Sequence, residues 1–174
     1  DAHWELKAEC EKAGTKFLTT VYHHDDVPFV ASLGLEAIKI GSGEAGELSL
    51  VRAVTSAQFR RTFVSLGVCG LDRLACCWTG IPGVTFLRCV SRYPHPAMCA
   101  YGDLCRGGYS DHSVGIEGCQ LAICCGARLI EKHVQLPHQA RPAKSYEATV
   151  SEFKALRQFA DENPQRFIGR WQHA

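Results

Sequence analysis

Apolar positions along this chain follow two alternating periods. Short apolar or alternating runs at 16–22, 37–42, 61–66, 85–91, 107–112 and 128–136 carry the pattern of β-strands. Between them the spacing lengthens to three or four, as on a helix face. Residues 2–13 are predicted as a helix with Gly14 as its C-cap. Asp25, Asp26 and Pro28 are predicted to open a short helix that ends near Gly34, by N-capping and a first-turn proline. Further helices are expected through Leu48, Val51 and Val54, over 71–78, and from about Gly115 to Cys125, stopped at Gly126. The last, amphipathic, carries Val150, Phe153, Leu156 and Ala160 and stops at Pro164. Residues 92–106 contain two prolines and a glycine and predict no clear helix.

The predicted strands begin near residues 16, 37, 61, 85, 107 and 128, roughly 20 to 25 residues apart. That interval, with helices between, points to βα units and a parallel sheet. A doubly wound sheet and a (β/α)8 barrel compete. No strand is followed by Gly-x-Gly-x-x-Gly, and the lone Gly41-Ser-Gly43 is weak evidence for a nucleotide. Polar residues recur at strand C-terminal ends: Thr19 and Thr20, Lys39 and Ser42, Ser65, Ser91 and Tyr93, Ser110 and His112, Glu131 and His133. Contributions from every strand end are how a barrel assembles its active site, so the expectation is an α/β fold of the (β/α)8 TIM-barrel type. Six units are visible where eight are needed. Residues 1–163 are expected to form this partial barrel domain and 164–174 a C-terminal tail.

Composition narrows the function. With 174 residues, 46% hydrophobic and 21% charged, the chain is sized for one domain with a core. Net charge is +1 with scattered Lys and Arg, which argues against nucleic acid. No run approaches a membrane span and no signal-peptide layout opens the chain, so the expected location is cytoplasmic. The ten cysteines include no Cys-x-x-Cys and sit mostly in apolar runs, as in Leu121-Ala-Ile-Cys-Cys125. They are expected to be reduced core residues rather than zinc ligands or a disulfide scaffold.

The candidate chemistry lies in Gly107-Gly-Tyr-Ser-Asp-His112 and Leu129-Ile-Glu-Lys-His133. Side chains alternate along a strand, so Ser110 shares a face with His112, and Glu131 with His133. On neighbouring parallel strands, two imidazoles, a carboxylate and a hydroxyl would meet at one end, a half-shell for a divalent metal. Two histidines capping strands for packing remain an alternative on spacing alone.

Five segments resemble the sialic acid synthase family. They are Phe17-Leu-Thr-Thr20, Ile38-Lys-Ile-Gly-Ser-Gly-Glu44, Cys89-Val-Ser-Arg-Tyr-Pro94, Gly108-Tyr-Ser-Asp-His112 with Gly115-Ile, and Gly126-Ala-Arg-Leu-Ile-Glu-Lys-His133. The resemblance runs from about residue 5 to residue 160, in the family's order. It implies condensation of phosphoenolpyruvate with an N-acylated amino sugar on a (β/α)8 barrel, of which this chain supplies strands three to eight. It also implies a Mn²⁺ or Mg²⁺ ion held by His112 and His133. Thr20, Lys39, Ser42, Ser65, Ser91 and Ser110 fall at phosphoenolpyruvate-binding positions, and Glu44, Tyr93 and Glu131 near the sugar or the reacting carbons. Family members commonly pair, so a homodimer is expected. The residue types suit the chemistry. A compact phosphorylated anion needs a lysine and several donors, and neutral histidines leave a divalent ion its full charge to polarise an aldehyde. Glu131 or Asp111 is expected to orient a ring N–H or a bound water.

Four departures qualify the resemblance. The family's first two βα units are missing, with a strand-one glutamate and a strand-two lysine. Truncation is expected, because a barrel lacking two staves exposes two strand edges. Arg141-Pro-Ala-Lys144 stands where the family has Gly-Pro-Asp-His, so a sugar-binding aspartate is replaced at Ala143. Ser65-Leu-Gly-Val68 replaces Ser-Thr-Gly-Met, losing a hydroxyl near the phosphate. The segment after Pro94 is short by about a helix, and the family's C-terminal antifreeze-like domain is expected to be lacking. The alternative function is therefore a catalytically impaired relative acting as a ligand-binding or scaffold module. An aldolase would need Lys39 as a Schiff-base lysine in an apolar pocket, which the neighbouring serines argue against.

Overall fold

The structure, a computed structural model, describes residues 2–68, 77–96 and 107–163. It falls into two compact units, Asp1–Thr85 and Phe86–Ala174. The predicted helix over 71–78 lies outside the described residues except for Cys77 and Trp78, which are helical. The prediction of no helix over 92–106 likewise lies outside them from residue 97 onward.

In the first unit, helix α1 (Ala2–Lys12) buries none of its residues. It is supported instead by the Lys7–Glu11 and Glu9–Lys12 ion pairs along its surface, each at 2.6 Å. Strands β1 (Thr20–Val21), β2 (Ala37–Ile40) and β3 (Arg61–Ser65) pair in parallel in chain order. Helices α2 (Val27–Ser32) and α3 (Leu48–Ser56) intervene. β2 is flanked on both sides, so its apolar residues are buried on both faces, with Ile38 and Ile40 fully enclosed. Val27 and Val30 of α2 and Leu50, Val51 and Val54 of α3 are buried, and Trp78 Nε1 donates to the Ala45 carbonyl at 2.8 Å.

Two expectations are corrected here. β1 is two residues long rather than seven, because the ladder reaches back only to the Lys39 N–H bond onto Thr19 O. A 3₁₀ turn, His24–Asp26, precedes α2 and is capped by His23, whose Nδ1 accepts from Asp25 N–H; Asp26 is the N-cap of α2 and Pro28 lies in its first turn, as expected, but the Asp26 side chain makes no capping bond.

β4 (Val84–Cys89), all but its first two residues in the second unit, and β5 (Gly108–Asp111) and β6 (Ile130–Lys132) within it are again parallel and in chain order. Helix α4 (Glu117–Cys124) joins β5 to β6. Helix α5 (Val150–Glu162) follows, opened by a capping box between Thr149 and Glu152. Tyr109 of β5 packs with Ala122 and Ala127, while Cys119 and Ile123 of α4 pack on Leu156 and Ala160 of α5. One face of β5 is thus turned to the helices. Gly118 permits this approach: a Cβ there would stand 2.8 Å from both Asp111 Oδ1 and Ser113 Oγ. The six described cysteines are thiols, yet only Cys119 is fully buried. Cys10, Cys77, Cys89, Cys124 and Cys125 are half-buried, so the core expectation holds for one position of these six.

Candidate functional site

The alternation that buries Tyr109 against α4 turns its neighbours the other way. Ser110 registers with Glu131 across β5 and β6, and Asp111 with Lys132. Ser110, His112, Glu131 and His133 therefore share the face opposite the helices. The rings of His112 and His133 lie 5.5 Å apart between centroids. His112 is buried; His133 is exposed. The Tyr93 ring stacks on His112 with centroids 3.9 Å apart and meets His133 edge-on at 6.0 Å. Ser110 Oγ is 3.5 Å from His112 Nε2.

Three observations bear on a divalent ion here. Two imidazoles sharing one ion, with bonds of about 2.1 Å at a near-tetrahedral angle, place their centroids about 5 Å apart. His112 Nδ1 lies 2.9 Å from the Val90 carbonyl, a bond that takes the ring proton at Nδ1 and leaves the lone pair at Nε2, where Ser110 Oγ stands at the outer limit of hydrogen-bond reach. Burial, reinforced by the neighbouring His133, holds His112 below the usual histidine pKa and favours the neutral form, although Val90, Glu131 and Asp111 pull the other way. The spacing of the imidazole pair fits a shared divalent cation.

Asp111 does not take the supporting role expected from the sequence. It points into the helix-side layer, where Lys132 Nζ donates to Asp111 Oδ2 and to the Ser113 carbonyl, each at 2.6 Å. Both side chains are wholly enclosed. Ser113 Oγ donates to the same carboxylate at 2.8 Å, and His95 Nε2 lies 3.9 Å from it. Burial pushes the Asp111 pKa up, but the Lys132 and Ser113 bonds outweigh that and hold it below the usual carboxylate value. Burial and the adjacent Asp111 charge push the Cys119 thiol up, so it stays protonated.

In the first unit, Thr20, Lys39 and Phe63 are register partners, and Ser65 follows on the same face as Phe63. Ser65 is buried and its Oγ has no hydrogen-bond partner, an orphaned hydroxyl of the kind a bound anion would satisfy. Ser42 lies in the turn after β2. The Glu44 carboxylate folds over Gly41, where any Cβ would collide with Oε2. Ser91 sits in the exposed segment after β4, just past the Val90 carbonyl that fixes His112.

Two features were not anticipated from the sequence. Tyr146 meets Tyr93 at 5.1 Å and His133 at 5.2 Å, both edge-on. Among the described residues, His23, His24 and Asp25 form a group with ligand atoms within 4.8 Å of one another, mostly exposed, in the turn after β1. No helix of the described residues is long and apolar enough to cross a membrane.

Comparison with known proteins bears on the fold and the family. The chain is 31% identical over 151 residues to an N,N'-diacetyllegionaminic acid synthase of Campylobacter jejuni, covering 78% of this chain and 45% of that protein. It is 27% identical to the human N-acetylneuraminate-9-phosphate synthase, covering 78% of this chain and 42% of that protein. The chain thus spans about half the length of the curated relatives it matches. Its fold matches the crystal structure of an N-acetylneuraminic acid synthetase from Leptospira borgpetersenii in complex with citrate. The TM-score is 0.85 at 23% identity, covering 98% of this chain and 64% of that one. A truncated 3-deoxy-D-arabino-heptulosonate 7-phosphate synthase from Thermotoga maritima matches with a TM-score of 0.71 over 93% of this chain and 71% of that one, at 21% identity. The fold is therefore α/β of the (β/α)8 type, of which the described residues supply six strands. The family model described as the NeuB family matches residues 1–166, and the chain belongs to that family.

Proposed function

We propose that the chain is the strand-three-to-eight part of a synthase that condenses phosphoenolpyruvate with an N-acylated amino sugar. The product would be a 2-keto-3-deoxy acid of the sialic acid type, formed in the cytoplasm by a homodimer. The observation that carries the reading is the shared face of Ser110, His112, Glu131 and His133, with Tyr93 stacked on one imidazole. It is joined by membership of a family in which matched relatives include an N,N'-diacetyllegionaminic acid synthase and an N-acetylneuraminate-9-phosphate synthase.

His112 and His133 would hold Mn²⁺ or Mg²⁺; when bound, such an ion supplies Lewis-acid polarisation of an aldehyde. Lys39 supplies the fixed positive charge for a phosphorylated anion, with Thr20, Ser42, Ser65, Ser91 and Ser110 as hydroxyl donors. Ser65 suits this role because its buried hydroxyl lacks a protein partner. The substrate's C3 forms the new carbon–carbon bond to the aldehyde carbon. Water then adds at C2, and phosphate leaves with the C2–O bond. Glu131 and Glu44 are the carboxylates proposed to hold or move protons beside the reacting carbons, and Tyr93 presents an aromatic face to the sugar.

The test is phosphate release from phosphoenolpyruvate with Mn²⁺ and a panel of N-acylated amino sugars. Release that depends on the sugar, and that falls at least about a hundredfold in His112→Ala, is expected. Release no faster than in that variant would sink the synthase reading.

A further inference from the structure

Tyr146 is the one aromatic ring beside the two imidazoles, among the described residues, that neither the proposed chemistry nor the ion-holding role employs. It is half-buried and lies edge-on to Tyr93 at 5.1 Å and to His133 at 5.2 Å. With Tyr93 stacked on His112, the two tyrosine rings and the two imidazoles form one contiguous cluster.

The backbone holds this ring in place by two independent devices. Just after it, Ala148 N–H donates to His133 O at 2.8 Å and Gln135 N–H donates to Ala148 O at 2.9 Å. The segment carrying Tyr146 is therefore tied directly to the end of β6. Just before it, the chain from Arg141 to Glu147 is closed on itself. The Arg141 guanidinium grips both Glu147 oxygens, and Lys144 N–H donates to the same carboxylate at 2.9 Å. Glu147 is buried at the foot of this loop, directly after Tyr146. A ring fixed from both sides is pre-organised, so contact with a ligand does not require ordering a loop.

The same loop carries Ala143, the position at which the resemblance places a sugar-binding aspartate. A carboxylate there would accept hydrogen bonds from hydroxyls. A methyl cannot, and a tyrosine ring nearby offers a flat face suited to C–H groups.

We propose that Tyr146 is a specificity-determining residue for the acceptor sugar, its ring packing against an apolar, C–H-rich edge such as a deoxy carbon or an acyl methyl. This rests on the synthase reading for the identity of the ligand. Removing such a contact takes away binding that is equal in the ground and transition states, which raises KM and leaves kcat unchanged.

The test has two arms. In the first, saturation-transfer NMR measures binding of N-acetylmannosaminitol and its 6-deoxy counterpart to the chain with Mg²⁺ and phosphoenolpyruvate. These open-chain alditols lack an aldehyde and cannot react, so binding is read whether or not the chain turns over. The expected result is tighter binding of the deoxy compound, weakened about tenfold in Tyr146→Ala and retained in Tyr146→Phe, with the preference lost in the alanine variant. Tyr146→Phe guards against a variant that merely fails to fold. In the second arm, turnover of the aldehyde sugars is expected to show a raised acceptor KM with kcat and the phosphoenolpyruvate KM unchanged. Alditol binding that depends on Tyr146 without turnover sustains this inference while the synthase reading fails. Turnover with an acceptor KM indifferent to Tyr146→Ala does the reverse. Absence of alditol binding to the wild-type chain, or a deoxy preference that survives Tyr146→Ala, overturns the inference.

Discussion

At the scale of single residues, the sharpest energetic feature is the enclosed Asp111–Lys132 pair. Each partner is wholly buried, and Lys132 also satisfies the Ser113 carbonyl. A buried pair with all its bonds made is weak evidence of net stability, but removing one partner strands the other charge. Lys132→Met is therefore expected to lower unfolding free energy by about 3–5 kcal/mol in a urea titration. Adding Asp111→Asn in the same chain should recover a large part of that loss. A cost below about 1 kcal/mol for the single variant would show that water reaches the carboxylate. The pair was legible in outline: strict alternation places Asp111 opposite Ser110 and His112. The role assigned to Asp111 from the sequence overlooked that constraint. The orphaned Ser65 hydroxyl, by contrast, needed coordinates, because no spacing rule says which strand-end hydroxyls find a protein partner.

Elements depart from expectation where their ends are decided by partners rather than by local pattern. β2 and β3 appear at the predicted starts, because a central parallel strand reads as a continuous apolar run. β1 and β6 shrink to two and three residues, since ladder hydrogen bonds, not β-propensity, set their length. The loop between β6 and α5 carries no periodic signal, so Tyr146 was invisible; the Val134–Ala148 bridge that seats it is a tertiary contact. This loop also has a pH signature. The Arg141 bonds, helped by Lys144 N–H, hold the Glu147 carboxyl at a pKa of about 2, against 4.5 unperturbed. The folded pKa lies below the unfolded one, so the unfolded chain binds more protons between those values. Stability from this group is complete above pH 4.5 and is lost as pH falls towards 2. The stability difference between wild type and Glu147→Gln should accordingly shrink as acid is added across that window. A difference independent of pH there would mean that the Arg141 clip contributes nothing through charge.

At the scale of the whole molecule, the recurrence of strands every two dozen residues was enough to name the fold class, and five motifs in order were enough to name the family. The fold agrees with a solved structure that covers nearly all of this chain, and the family with the family model over residues 1–166. Neither could say how the two imidazoles stand to each other, which is a matter of register between β5 and β6. That register turns a pair of strand-end histidines into a candidate ligand pair, and the proposed chemistry depends on it. Pulsed electron paramagnetic resonance of Mn²⁺ added to the chain reads it directly through nitrogen hyperfine coupling. Two coupled imidazole nitrogens are expected, one lost in His112→Ala and the other in His133→Ala, with weaker Mn²⁺ binding in each. A spectrum without nitrogen coupling, or one unchanged by both substitutions, would contradict the candidate ligand pair.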